Sequence, residues 1–296
     1  MNNNPQDFNP RDIKAIAFDL DGTLLQKDKT LSARTKKAAA ACRERGVRLI
    51  IATGRAASSG EVYRRELDLS GPQIYYNGAE VVDAPSNRLI YSRFVPVEPI
   101  RYCVEIAREL GVYLQVYFPL GAVPGAGEVL MAERLGAESD FYRVSSGVQA
   151  VRGNLEEALA SPRLTGIIKA LFITLEAGGG KGARVKEQIR ALINERYGNA
   201  VYVVASQTEY LEVLNAGVSK GTGLAHALRY LGIAKENTLA FGDEENDLPL
   251  FAEAAWSAAP ANAKPAVKDA AVFRIPANTE DGVADFLEKR VLGPGA

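Results

Sequence analysis

Asp19-Leu20-Asp21-Gly22-Thr23 follows directly on a short apolar run, Lys14–Phe18. In an open α/β sheet, ligands bind beyond the carboxyl ends of the strands. In a loop at such an end, two acids separated by one residue can act on one phosphate ester. One carboxylate faces the phosphorus and the other lies beside the leaving oxygen, while Gly22 lets the chain turn sharply away. Two carboxylates repel each other and repel a phosphate, so a cation must offset them. Mg²⁺ is the hard, oxygen-preferring ion that suits both carboxylate and phosphate. Asp243, in Gly242-Asp243-Glu244-Glu245-Asn246-Asp247 after the apolar run Thr238–Phe241, completes a metal site. The positive charge there keeps Asp19 ionised and available as a nucleophile. Thr53 brings a hydroxyl and backbone N–H groups at a loop before a helix, and Lys220 brings a point charge at the start of another helix. Both match the positioning and charge stabilisation that phosphoryl transfer requires.

Each motif alone has an ordinary structural use. Asp-x-Asp-Gly also makes surface turns and parts of calcium loops. Thr53-Gly54-Arg55 also reads as a strand-to-helix turn, and the acids around Asp243 also suit a helix N-terminus. The distinguishing feature is the joint pattern. The motifs come in order, and each follows an apolar strand or opens a helix.

The elements that must position these residues are legible around them. Lys14–Phe18, Val47–Ala52 and Thr238–Phe241 are continuous apolar runs, as expected of parallel strands buried on both faces. Ser32–Arg45 reads as a helix with Gly46 as its stop, giving a strand–helix–strand unit. The middle of the chain is different. Gly78–Ser92 is turn-rich around Pro85, and Ile100–Leu110 is a helix. Val112–Phe118 and Glu128–Ala132 suggest a hairpin with a Gly/Pro-rich loop, Pro119–Gly127. Asn154–Ala160 and Ala183–Arg196 read as helices, and Ile167–Leu175, Val201–Ala205 and Glu209–Val213 as strands. Helices at Gly221–Leu231 and Asn246–Ala254 restore the α/β alternation. The parse is an α/β core, residues 1–82 and 208–296, interrupted by an α+β cap at 83–207, itself large enough for a domain.

Composition narrows the function classes. The 296 residues suffice for two domains, and 47% hydrophobic with 24% charged residues is normal for a globular protein. With 35 basic and 36 acidic side chains the net charge is -1, so no broad grip on nucleic acid or an anionic membrane is expected. Two isolated cysteines, Cys42 and Cys103, fit a reducing compartment, and one histidine, His226, argues against a zinc site. The first ten residues lack the apolar stretch of a secretory signal, and no run approaches the ~20 apolar residues of a membrane span. A cytoplasmic protein is the expectation. Oligomeric state is not readable.

The sequence resembles the haloacid dehalogenase superfamily of phosphatases, in particular its Cof-type branch (subclass IIB) with a large α/β cap. The resemblance rests on Phe18-Asp19-Leu20-Asp21-Gly22-Thr23-Leu24, Ala52-Thr53-Gly54-Arg55, Tyr76-Asn77-Gly78-Ala79, Val218-Ser219-Lys220-Gly221-Thr222 and Phe241-Gly242-Asp243-Glu244-Glu245-Asn246-Asp247, with a late Asn262-Ala263 turn. It covers the whole core, and the cap is matched only by size and pattern. It implies a Rossmann-like core, Mg²⁺, and hydrolysis of sugar phosphates or similar small phosphorylated metabolites. By the same resemblance, Asp19 is nucleophile and metal ligand, and Asp21 is the acid that protonates the leaving oxygen and then activates water. The Asp21 backbone carbonyl and the Asp243 side chain complete the metal ligands. Thr53, Gly54 and Lys220 hold phosphoryl oxygens, Asn246 contacts phosphate, and Asp247 supports the metal shell and Lys220. Where the family often has a Met-Gly pair before the late turn, this chain has Ala259-Pro260-Ala261.

Other signals carry less. Gly178-Gly179-Gly180-Lys181-Gly182 lacks the hydroxyl residue of a nucleotide-binding loop and reads as a flexible connection. Arg64-Arg65 and Lys36-Lys37 read as solvated helix faces, and Tyr75, Tyr76, Tyr113 and Tyr117 as packing residues. Two competing functions share the core motifs. A phosphomutase also needs an aspartyl-phosphate, and a metabolite sensor could keep the fold without catalysis, although fold alone requires none of Asp19, Asp21, Lys220 and Asp243. The Pro119–Gly127 loop and Glu128–Arg134 are the candidates for choosing the substrate.

Overall fold

The computed structural model describes residues 4–119, 129–175 and 180–293. The chain forms two compact units, one drawn from the chain up to Ser92 and from Ser219 onward, the other from Arg93–Val218.

The first unit opens with β1 (Ala15–Phe18), α1 (Ala33–Glu44), β2 (Arg48–Ile51), α2 (Ala57–Glu66), β3 (Gly71–Tyr75), β4 (Glu80–Ala84) and β5 (Arg88–Ser92). The second unit contributes α3 (Val97–Leu110), β6 (Tyr113–Phe118), β7 (Val129–Ala132), α4 (Ala137–Ser146) and β8 (Val151–Arg152). It continues with α5 (Leu155–Ala160), β9 (Lys169–Ile173), α6 (Lys181–Tyr197), β10 (Val201–Gln207) and β11 (Tyr210–Asn215). The chain then returns to the first unit with α7 (Lys220–Leu231), β12 (Thr238–Phe241), α8 (Leu248–Ala252), β13 (Trp256–Pro260), α9 (Pro265–Ala270), β14 (Phe273–Ile275) and α10 (Gly282–Phe286).

The sheet of the first unit is parallel, in the order β14-β13-β12-β1-β2. β1 lies inside it and is buried along its whole length. Ile16 and Phe18 enter one hydrophobic cluster and Ala15 and Ala17 another, so both faces of the strand are covered. That double burial is why the run is apolar without alternation. Phe18 is in register with both Phe241 and Ile51, which brings the carboxyl ends of β1, β12 and β2 level with one another. α1 starts where Ser32 accepts a hydrogen bond from the Thr35 N–H. A bridge between Ala52 and Ile74 links β2 to an antiparallel sheet of β3, β4 and β5.

The second unit is a sheet in the order β10-β11-β9-β6-β7-β8. One face packs Leu114, Val116, Phe172, Leu211 and Val213 against α3 and α6 residues such as Ile100, Val104 and Ile189. The other carries Tyr113, Gln115, Tyr117, Lys169 and Glu212, all buried.

The units meet about ten residues later than the sequence parse placed them. Residues 83–92 stay with the first unit because β4 and β5 continue the antiparallel sheet started by β3, with Glu80 opposite both Tyr75 and Ser92. Pro85 and its neighbours form the turn of a hairpin between two strands. At the other end, residues 208–218 belong to the second unit because β11 pairs on both sides, with β10 and β9. Arg64 also departs from expectation. It is buried, donating to Glu61 and to the Leu69 carbonyl. The loop Pro119–Gly127, beyond its first residue, lies outside the described residues, as do Gly178 and Gly179. Among the described residues, no helix is long and apolar enough to cross a membrane.

Candidate active site

The three level strand ends deliver Asp19 directly after β1, Thr53 shortly after β2 and Asp243 shortly after β12. Helix α7 begins at Lys220, its start fixed by Ser219, which accepts from the Thr222 N–H at 3.0 Å. The Lys220 side chain is 2% exposed, and its ammonium donates to Asp19 Oδ1 and to Asp247 Oδ1, both at 2.6 Å. Asp247 Oδ2 accepts from the N–H groups of Asp243 and Glu244 at 2.9 and 3.0 Å. With both oxygens engaged, Asp247 works as an anchor: it ties the Asp243 loop and the lysine together. Thr23 donates its hydroxyl to Asp243 Oδ1 at 2.8 Å. Gly22, at φ 80°, allows the first loop to pass so close that a Cβ there would lie 2.2 Å from Asp243 Oδ2. Asn262 donates to the Gly22 carbonyl at 2.8 Å and accepts from the Asn278 N–H at 3.0 Å, so the late turn braces this loop from outside.

Carboxylate oxygens of Asp19, Asp243 and Asp247 lie within 4.8 Å of one another. Burial pushes the Asp19 carboxyl up, against the pull of Lys220, and pushes Asp243 up to about 6 despite the Thr23 hydrogen bond. Three carboxylates and one ammonium leave two formal negative charges in a buried space, which a divalent cation would offset. The donor set fits one: Asp19 and Asp243 each keep an oxygen that accepts no hydrogen bond among the described residues, and all donors are oxygen.

Asp21 faces a different environment. Arg55 grips it with two hydrogen bonds, at 2.6 and 2.8 Å, and Lys29 adds a third at 2.7 Å. Burial works to raise this carboxyl, but Arg55 and Lys29 outweigh it and hold it at about 2. Arg55 in turn lies over the Tyr63 ring, and the Tyr63 hydroxyl donates to the Lys29 carbonyl at 3.0 Å. In this arrangement Asp21 is ionised and has no proton to give. Sequence reasoning missed both cations. Arg55 was in plain view in Thr53-Gly54-Arg55, but nothing in local spacing pairs it with Asp21.

The phosphate-contact candidates need one correction. The Thr53 N–H is consumed by the Ile74 carbonyl at 3.0 Å, through the strand-end contact of β2 with β3, and so is not a phosphate donor. The Thr53 hydroxyl accepts from the Arg55 N–H at 3.1 Å and still has its own proton to donate. Gly54 N–H donates to nothing among the described residues. Asn246 donates its amide to Asn77 Oδ1 at 2.9 Å, a partner the sequence did not point to.

Comparison with known proteins agrees with this geometry. The family described as haloacid dehalogenase-like hydrolase matches residues 16–132 and 166–287. The 5-amino-6-(5-phospho-D-ribitylamino)uracil phosphatase YitU of Bacillus subtilis is 28% identical over 93% of this chain and 96% of its own length. The pyridoxal phosphate phosphatase YbhA of Escherichia coli is 26% identical over 94% of this chain and 99% of its own. A crystal structure of a haloacid dehalogenase-like hydrolase from Bacteroides thetaiotaomicron superposes with a TM-score of 0.79 at 26% identity, covering 94% of this chain and 99% of that one. The chain therefore belongs to the haloacid dehalogenase-like hydrolases, and within them to the Cof-type phosphatases.

Proposed function

We propose that the protein is a Mg²⁺-dependent phosphatase that hydrolyses a small phosphorylated metabolite through an aspartyl-phosphate on Asp19. The observation that carries the reading is the buried group of Asp19, Lys220, Asp243 and Asp247 at level strand ends. Asp19 attacks phosphorus, forming an acyl-phosphate bond while the bond to the leaving oxygen breaks. Asp19, Asp243 and the Asp21 backbone carbonyl would hold Mg²⁺, which supplies positive charge to the phosphoryl oxygens. Lys220 keeps Asp19 oriented and adds charge of the same sign, and Asp247 holds Lys220 in place. The Thr53 hydroxyl and Gly54 N–H receive phosphoryl oxygens, with Asn246 beside them. A phosphoryl dianion competes with Asp21 for Arg55. Released from that partner, and with the exposed Lys29 free to turn into solvent, Asp21 takes up a proton, gives it to the leaving oxygen, and then accepts one from the water that cleaves the aspartyl-phosphate.

The substrate class follows the relatives, whose names give a phosphoribityl-aminouracil and pyridoxal phosphate as their substrates. We assign the Arg93–Val218 unit the role of a cap that chooses the leaving group. The two buried free cysteines suit the cytoplasm. The test is a screen of phosphorylated metabolites with Mg²⁺, reading released phosphate and identifying the organic product. Free phosphate with the dephosphorylated product is expected. An isomeric phosphate ester would mean a mutase, and no turnover of any ester would sink the enzymatic reading.

A further inference from the structure

The turn after β3 holds an unusual backbone. Tyr76, Asn77 and Gly78 have φ of 52°, 57° and 97° in succession, and Tyr76 is fully buried. Non-glycine residues rarely occupy this region, at a cost of order 1–3 kcal/mol each, and such strain persists only where the surroundings enforce it. Here they do so on two sides. The N–H groups of Tyr76 and Asn77 donate to the carbonyls of Arg55 and Thr53 at 3.0 and 2.9 Å. On the far flank, Gly78 lies so close to the start of α7 that a Cβ would sit 2.0 Å from the Ser219 carbonyl oxygen. The turn is thus wedged between the Thr53–Arg55 loop and the residue preceding Lys220.

The Asn77 side chain adds a third connection. It is 8% exposed, and its Oδ1 accepts from Asn246 Nδ2 at 2.9 Å. The Asn246 Oδ1 is buried without a hydrogen-bond partner among the described residues, so Asn77 is what fixes that amide. The same Asn77 Oδ1 would lie 3.0 Å from a Cβ placed on Gly54. One side chain therefore touches both Gly54 and Asn246, which arrive from different strands.

We infer that Asn77 is a positioning residue of the phosphoryl pocket: its backbone clamps the Thr53–Gly54 loop and its amide sets the orientation of Asn246. This inference rests on the phosphatase reading above. A purely conformational role makes a different prediction. Asparagine tolerates left-handed backbone, but glycine tolerates it at least as well. If only the turn mattered, glycine would replace Asn77 freely.

The experiment compares Asn77→Gly, Asn246→Ala and the double variant with wild type. It measures kcat and KM on the best ester from the screen and on para-nitrophenyl phosphate, Ki for inorganic phosphate, and Tm. For Asn77→Gly, Tm should hold, while kcat/KM falls about tenfold on both esters and the phosphate Ki rises by a similar factor, as for loss of one buried hydrogen bond. The double variant should be no worse than Asn246→Ala alone. Values of kcat/KM and Ki within about twofold of wild type, losses that track a fall in Tm, or additive losses in the double variant each overturn the inference. Should Asn77→Gly fail to fold, Asn77→Ala removes the same acceptor at a modest backbone cost and should show the same loss and the same non-additivity with Asn246→Ala; unchanged kcat/KM and Ki overturn the inference. A wild-type protein that hydrolyses no ester refutes the phosphatase reading and the inference with it, whereas an active wild type with indifferent variants refutes the inference alone.

Discussion

Replacing Gly22 by alanine separates backbone strain from site geometry. The added Cβ would stand 2.2 Å from Asp243 Oδ2. An ordinary non-bonded contact is about 3.5 Å, so the Asp243 carboxylate must retreat by roughly 1 Å or the Asp21–Thr23 loop must shift by as much. Either movement strains the 2.8 Å Thr23–Asp243 hydrogen bond and spreads the carboxylates that lie within 4.8 Å. A misplacement of about 1 Å at reacting groups costs on the order of 100-fold in rate. Alanine at φ 80° also costs about 1–2 kcal/mol of stability whatever its surroundings. Gly46 supplies the control: it has the same φ of 80° but no neighbour within 4 Å of a Cβ. Both variants should therefore lose a few degrees of Tm from the backbone alone, and Gly22→Ala somewhat more from its clash with Asp243. Only Gly22→Ala should lose about 100-fold in kcat/KM and need more Mg²⁺ for half-maximal activity. The assay is a Mg²⁺ titration of steady-state hydrolysis beside thermal melts of both variants. If the two variants matched in kcat/KM and in Mg²⁺ requirement, the close approach to Asp243 would not matter to catalysis.

Three further outcomes are expected. Asp19→Asn should remain folded by circular dichroism yet release no measurable phosphate, since the amide is nearly isosteric but a poor nucleophile; appreciable turnover, with contamination excluded, would assign the nucleophile elsewhere. Dialysis against EDTA should abolish activity, with recovery in Mg²⁺ and poor recovery in Ca²⁺, which prefers more and longer oxygen contacts; full activity after EDTA would remove the metal from the reading. In the metal-free protein, burial raises Asp243 from 3.8 to about 6, so between those pH values the folded state holds a proton that the unfolded chain has released. The stability from this group is full below about pH 3.8 and is lost as pH rises through 6, about 3 kcal/mol in all. The gap in Tm between Mg²⁺-loaded and EDTA-treated protein should accordingly widen from pH 5 to about 7.5, and a constant gap would contradict it.

The readable parts of the sequence were those with a single physical cause. β1, β2 and β12 are buried on both faces, so they appear as unbroken apolar runs that stop at the chemistry. α1 and α7 announce themselves by serine caps and a following glycine. β4 and β5 were hidden because Glu80, Asp83 and Arg88 interrupt the apolar pattern, and β14 because it has only three residues. The acids and Lys220 were visible as motifs because each sits beside its own strand or helix start. The partners that define their state were not. Arg55 reaches Asp21 across 34 positions, Thr23 reaches Asp243 across 220, and Asn246 reaches Asn77 across 169. No local spacing encodes such contacts. The Thr53 N–H was misjudged for the same reason, since its acceptor belongs to a strand that the sequence did not pair with β2.

The placement of β1 between β2 and β12 has a consequence for a chain made from its N-terminus. β2 is available to β1 almost at once, but Ala15 pairs with Thr238, beyond the entire Arg93–Val218 unit. Until that strand emerges from the ribosome, β1 has a bare hydrogen-bonding edge on one side, the kind of surface on which nascent chains associate. Over the same interval Asp19 has neither Lys220 nor Asp243 beside it, so its carboxylate is an ordinary solvated acid. A chain cut short anywhere in that interval carries Asp19 without the lysine and the second carboxylate that stand beside it in the folded protein. Assembly of the candidate site thus waits until synthesis has passed Asp247, and the intervening unit, with its own sheet and core, can fold in the meantime.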